Sequence, residues 1–454
     1  MSFTKAIPAR AFQPSASLAL ASLVLVCGVV GCGAPDLSRD DAFDRVVAEA
    51  ALQTPAQAIA EIDREHLTGD VYHYSLILRL GDGPNARIRL HRVVRESAPF
   101  RPRPTRQAVM MEHGSFATFA SNFISMARAG DTDLHHGLAA YLAERGVDVW
   151  GMDRRWGTTS AGSQDVSDYP SLGFATSVED IRSGLAFARL VRGISGGDAD
   201  RMTLMGFSIG ALLTYSYAAA ESVRPPRERH VKAIVPIDIY ARIAPENEDL
   251  RQKACNRRDQ GRADMAGGFF DVDNTFIQQL GSFSQTAPDD PSPIWPGLTS
   301  RQALHTWVGQ TFYYYGVTPV YHLNGGNIVD DSVTSLNFSG VHRVEDWHIG
   351  APPHEAYVEG VDMDTILCGE GPLPLDDHLA DIRVPIFYLG AAGGFGAYGV
   401  HSARITRSTD VTTHVVRRLA PELEVSDYGH ADLLFARDAP ELAWQPLAAW
   451  LNRR

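Results

Sequence analysis

"RMTLMGFSIGALLTYSYAAA", Arg201 to Ala220, changes character in its middle. Met202 to Met205 is an apolar run of strand length, and the run from Ile209 onward is rich in Ala, Leu and Tyr, as a buried helix would be. Between them stands Gly206-Phe207-Ser208-Ile209-Gly210. A turn tight enough to join strand to helix here crowds the residues beside its apex, and Gly206 and Gly210 relieve that crowding. Ser208 is pushed above the strand's carboxyl end, within reach of a small molecule. The helix opening at Ile209 aims its first N–H groups at the same place and favours negative charge there.

Working outward, the same texture repeats. "AVMM" (108–111) reads as a buried strand, "LHHGLAAYLAERG" as a helix stopped by Gly146, and "VDVWGMD" (147–153) as the next strand. "SVEDIRSGLAFARLVRG" follows with a capping-box pattern at Ser177 and Asp180. "VKAIVPIDIY" (231–240) and "VPIFYLG" (384–390) are further strands, and the last helix carries Leu447, Trp450 and Leu451. Before this series, Val71–Leu80 and Arg87–Val94 alternate around "GDGPNA" as a hairpin with one wet face. A hairpin followed by strand–helix alternation predicts an α/β fold, a mostly parallel sheet with helices on both faces and antiparallel strands at one edge. Residues 36–68 look helical and amphipathic. Alternation stops from 241 to 379, a stretch rich in Pro, Gly, Asp and aromatics that reads as an inserted cap. The expected organisation is a signal segment (1–31), a spacer with edge helices (32–69), a core in two parts (70–240 and 380–454) and the cap between them.

The chain of 454 residues is 44% apolar and 21% charged, which suits a soluble protein with a sizeable core. Its net charge of −13 is dispersed, so nucleic acid is not an expected partner. Lys5 and Arg10 are the only charges before an apolar stretch, Ser17–Val30, too short for the ~20 residues of a spanning helix. That stretch ends Val29-Val30-Gly31-Cys32, which resembles the bacterial lipobox. The resemblance implies cleavage before Cys32, a lipid on its thiol, and a membrane-anchored protein of the outer membrane or periplasm. The alternative is an ordinary secretory signal in which Cys32 is one more apolar residue. Of four cysteines, Cys27 leaves with the signal, so Cys255 and Cys368 either pair in an oxidising compartment or stay as buried thiols. His354-Glu355 lacks the second His of a zinc helix, and no metal or cofactor is expected.

Two other parts accompany Ser208. His113-Gly114-Ser115 ends the strand "AVMMEHG", and Asp427-Tyr428-Gly429-His430-Ala431-Asp432 lies near the C-terminus. A serine hydroxyl needs a base to take its proton, and His430 follows the last strand region. Asp432 reads as the cap of the helix after it. In the order His-Gly, Gly-x-Ser-x-Gly, His, these parts resemble the α/β-hydrolase superfamily, its lipase and esterase branches in particular, over residues 70–240 and 380–454. The resemblance implies that Ser208 is a nucleophile on a strained elbow flanked by Gly206 and Gly210. It makes His430 the base and the amides of Ser115, beside Gly114, and Ile209 the oxyanion donors. The implied activity is hydrolysis of a carboxylic ester through an acyl-enzyme; amide or peptide cleavage uses the same machinery, and a surface binding protein on a decayed scaffold is the rival from another class.

One part is missing. The superfamily usually places the triad's carboxylate after the strand "VPIFYLG", yet the loop there reads "AAGGFGAYG" with no acid. Asp238, ending "KAIVPID" one strand earlier, is the expected substitute, with Glu424 and Asp427 as weaker candidates. Arg154 and Arg155 of "MDRRW" either meet an acidic substrate group or, as expected, pair with acids at the loop base.

Overall fold

The computed structural model describes residues 59–83, 85–125, 135–159, 165–311, 321–369 and 378–454. The signal segment, Cys32 and the aromatics Phe312–Tyr315 lie outside the described residues. Among the described residues no helix is long and apolar enough to cross a membrane.

Three antiparallel strands open the described chain: β1 (Ile59–Thr68), β2 (Val71–Arg79) and β3 (Arg87–Ala98), with the two-residue β4 (Arg101–Pro102) beside β3. Then come β5 (Gln107–Glu112), α1 (Phe119–Phe123), α2 (Gly137–Glu144), β6 (Val147–Asp153), α3 (Phe174–Ile194), β7 (Met202–Phe207), α4 (Ile209–Ser222) and β8 (Val231–Ile237). The chain leaves the sheet for the cap: α5 (Glu248–Ala266), β9 (Asp271–Asp273), α6 (Thr275–Thr286), α7 (Ser300–Gly309), the hairpin β10 (Gly326–Val329) and β11 (Ser332–Leu336), α8 (Val341–Ile349), β12 (His354–Ala356) and α9 (Tyr357–Cys368). It returns with β13 (Ile386–Ala391), α10 (Gly396–Arg404), β14 (Val411–Val416), α11 (Asp432–Phe435) and α12 (Gln445–Leu451).

The sheet order is β1-β2-β3-β6-β5-β7-β8-β13-β14, parallel from β6 to β14. β6 and β7 are buried along their whole length, as strands covered on both faces must be. Two neighbours on β6 show it: Trp150 meets Phe187 of α3, while a Cβ on Gly151 would strike Phe119 of α1, and successive residues of a strand face opposite ways. Between β5 and β7 the strand order reverses, since β6 lies on the far side of β5. Such a reversal opens a crevice at the strands' carboxyl ends, and three loops meet there: those after β5, β7 and β8. Within the cap, α5 packs on α9, and a disulfide joins Cys255 to Cys368 across the pair.

Two local expectations fail. Residues 59–68, expected as helix, form β1, because the open edge of β2 supplies hydrogen bonds that outweigh the segment's own preference. The Ser177–Asp180 capping box does not form: α3 starts earlier, at Phe174 after Gly173, and both side chains are drawn elsewhere. Ser177 donates to Glu359 at 3.1 Å, and Asp180 takes both arms of Arg155 at 2.7 and 2.8 Å.

Candidate active site

Ser208 sits between β7 and α4 at φ 57°, ψ −127°, a conformation that L residues avoid at a cost of about 1–3 kcal/mol. The turn leaves no room on either side. A Cβ on Gly206 would collide with the carbonyl of Gly210, and one on Gly210 with the carbonyls of Glu112 and His113. Phe116 and Asp238, on the neighbouring loops, also have positive φ (40° and 49°), so strain gathers where the three loops converge. Ser208 and His430 line one cavity, whose walls include Phe116, Tyr321, Trp347 and Phe395. Tyr321 and Trp347 belong to the cap, so some of its aromatics serve the cavity, whereas Phe276 packs edge-on against Trp295 and Trp307.

His430 is held from behind and from both sides. Its Nδ1 lies 2.7 Å from Oδ2 of Asp238, and both side chains are buried. With Nδ1–H donating to that carboxylate, Nε2 is left as the acceptor, which is the tautomer a general base requires. Phe207 stacks on the imidazole at 4.4 Å between centroids, and Tyr321 meets it edge-on at 5.5 Å. Asp238 is itself fixed by the loop that lacks an acid. The amide of Ala391 donates to its Oδ1 at 2.9 Å, the amide of Phe395 reaches Oδ1 and Oδ2 at 3.1 and 3.0 Å, and a Cβ on Gly394 would strike the carboxylate. "AAGGFGAYG" therefore supplies N–H groups and space instead of a carboxylate. Asp427, the weaker candidate, accepts the amides of Arg418, Leu419 and Tyr428 through Oδ1 while His430 Nδ1 bonds Asp238 instead, and Glu424 pairs with Arg417.

The loop carrying His430 is bolted to the cap. The amides of His430 and Ala431 donate to the carbonyls of His322 and Leu323, at 2.9 and 2.6 Å. Asp432 does not cap its own helix. Its buried carboxylate accepts the amides of Gly325 and Gly429 (2.7 and 2.8 Å) and bonds Asn324 and Ser339, tying cap segment to loop.

On the other side, the loop after β5 is braced so that one amide stays free. Gly114 N–H donates to Asn122 at 2.8 Å and Phe116 N–H to Glu355 at 2.6 Å. Ser115 N–H has no partner among the described residues, and Ile209 N–H is the first of α4, where no intrahelical carbonyl is available. Arg154 donates to the carbonyls of His113 and Gly114 at 3.2 and 2.8 Å and pairs with Glu359 at 3.3 Å. Neither it nor Arg155 reaches the cavity as an anion anchor. His113 is kept neutral, its pKa pushed down to about 3 by burial and then by Arg154.

Arg154 faces three buried carboxyls, Glu112, Glu355 and Glu359, and burial raises the pKa of each. Glu112 finds no hydrogen bond for either oxygen among the described residues, so its neutral form is the one the site accommodates. Glu359 rises from 4.5 to about 7, burial being the main cause, with Arg154 opposing and Glu355 adding to it. Its folded form holds a proton that the unfolded chain releases near the ordinary carboxyl pKa. Stability from this group therefore falls as pH climbs from 4.5 through about 7. Glu359→Gln is expected to flatten that limb; urea midpoints compared at about pH 5 and about pH 8 measure it.

Sequence reasoning placed Ser208, His430, Asp238, Ser115 and Ile209 apart along the chain, and the fold brings all five to one crevice. It missed Asn122, Arg154's grip on the loop, and Glu355. No local pattern marks these, since each acts on backbone groups far away in sequence.

No protein-family model matches the chain, and no curated protein matches it. Among solved structures it is similar to a candidate lipase from Sulfolobus solfataricus, at 16% identity and a TM-score of 0.56, over 87% of this chain and 99% of that one. An esterase from Thermogutta terrifontis (14% identity, TM-score 0.40, 87% and 99% covered) is also similar. So is a soluble variant of monoglyceride lipase from Saccharomyces cerevisiae (11%, 0.39, 87% and 96%). At these TM-scores the last two add nothing about the fold. With a sheet parallel from β6 to β14, helices on both faces, a cap between β8 and β13, and the likeness at 0.56, this chain has the α/β-hydrolase fold.

Proposed function

We propose that the chain is a serine hydrolase that cleaves a carboxylic ester through an acyl-enzyme. The observation that carries this reading is the 2.7 Å contact between His430 Nδ1 and Asp238, with Ser208 on a strained turn opening into the same cavity. Ser208 Oγ attacks the carbonyl carbon while His430 Nε2 takes its proton. The negative charge that develops on the carbonyl oxygen is met by the amides of Ser115 and Ile209, each such donor being worth about 3–4 kcal/mol of barrier. His430 returns the proton to the leaving alcohol, and a water then repeats the sequence to release the acid. The fold's likeness to a candidate lipase supports the ester over the amide as substrate.

The Gly31-Cys32 signal supports an exported protein, anchored by lipid on Cys32 after residues 1–31 are removed. Incubation with a fluorophosphonate probe, followed by peptide mapping, tests the catalytic reading: a single adduct on Ser208 is expected. A protein left unlabelled, or labelled equally after heat denaturation, would return the chain to a binding role. Matched ester and aminoacyl amide panels decide between the two hydrolytic activities.

A further inference from the structure

At the cavity's cap side the lining changes chemistry. Most of its wall is apolar or aromatic, but Arg257 of α5 and Tyr240, two residues past Asp238, also line it. Arg257 is placed there by Asp364 of α9. Its Nε lies 3.1 and 3.2 Å from the two carboxylate oxygens, and its Nη2 lies 2.6 Å from Oδ1. That leaves Nη1, with two donors, unused among the described residues. The platform beneath it is stiff: α5 and α9 are joined by the Cys255–Cys368 disulfide, and Arg251 adds a bond to the carbonyl of Cys368 at 3.0 Å. Tyr240 is almost wholly buried and packs its ring on Phe395 and Tyr398, yet its hydroxyl has no hydrogen bond among the described residues. Burial pushes the pKa of that hydroxyl up, the charge of Arg257 opposes the rise and that of Asp364 adds to it, so the phenol stays protonated and can donate.

A guanidinium edge and a phenol, both with spare donors and away from Ser208 and His430 in sequence, facing a mostly apolar cavity, are a recognition element for oxygen acceptors. We propose that Arg257 and Tyr240 select substrates carrying, besides the scissile ester, a second oxygen acceptor: a carboxylate or a carbonyl at the far end of the acyl or alcohol part. The proposal rests on the hydrolase reading above. Asp364 already balances the charge of Arg257, so a neutral carbonyl satisfies the same donors as a carboxylate does, and the test separates the two.

Three p-nitrophenyl esters of one acyl length serve as probes: hexanoate, a hexanoate bearing a ketone near its far end, and the half-ester of adipic acid. Acetate esters whose alcohols end in the same three groups cover the other side. In the parent protein kcat/KM for an acceptor-bearing ester, in one set or the other, is expected to exceed that of its alkyl match by roughly 10-fold or more. In Tyr240→Phe, which keeps the ring contacts, and in the paired Arg257→Gln/Asp364→Asn variant, which leaves no lone buried charge, that ratio is expected to fall toward one. The ratio from Tyr240→Phe decides if the paired variant fails to fold. A parent that prefers the alkyl esters in both sets, or a preference that survives both changes, overturns the proposal. Fluorophosphonate labelling of the parent keeps the two readings apart: labelled protein without the preference loses only the acceptor element, and unlabelled protein loses the hydrolase as well.

Discussion

Ser208→Ala is expected to lower kcat toward ester substrates by on the order of 10⁶-fold while leaving the fold intact. The size follows from the position. In the proposed mechanism Ser208 supplies the attacking atom, and no other hydroxyl stands on the strained turn between β7 and α4. Stability is expected to move by no more than about 0.5 kcal/mol, because alanine meets the same φ of 57° that serine already tolerates and no side-chain bond of Ser208 caps α4. Steady-state hydrolysis of p-nitrophenyl esters, beside a thermal melt, reads both quantities. Activity within tenfold of the parent would remove Ser208 from the chemistry.

Asp238→Asn is expected to cost on the order of 10⁴-fold in kcat, with a smaller change in KM. The cradle dictates why. Oδ1 of Asp238 accepts the amide of Ala391 and shares that of Phe395 with Oδ2, so an asparagine is expected to keep its carbonyl on the Oδ1 side, where both amides can reach it. Its NH₂ then points at His430 Nδ1, which can only accept. The imidazole is forced into the tautomer with a proton on Nε2, and that nitrogen can no longer take one from Ser208. The loss should shrink as pH is raised enough for hydroxide to compete as base. A pH–rate profile distinguishes this from simple unfolding, which would cost activity equally at every pH.

The elbow was legible because everything that makes it is local: two glycines, a serine, an apolar run and a helix within ten residues of one another. Asp238 was legible only by its place at a strand end, after the usual position proved empty. What could not be read was the reason the usual position is empty. Amide donors leave no letters, so "AAGGFGAYG" looked like a gap rather than the cradle it is. Glu355 was equally silent, since its partner, the amide of Phe116, lies 239 residues earlier. The strand at 59–68 and the start of α3 went astray for a related cause. Local preference pointed one way, and neighbours distant in sequence, β2 in one case and Glu359 with Arg155 in the other, decided the matter.

The stitching of His322–Gly325 to the loop of His430 limits how the cap can open in the proposed hydrolase. If the proposed hydrolase reading holds, a cap that hinged away as one body would carry the imidazole of His430 off with it and part it from Ser208. On that reading, substrate would enter past a part of the cap other than His322–Gly325. The same seam makes the cap a poor module for exchange: a graft from a relative would have to bring its own anchorage for the loop of His430.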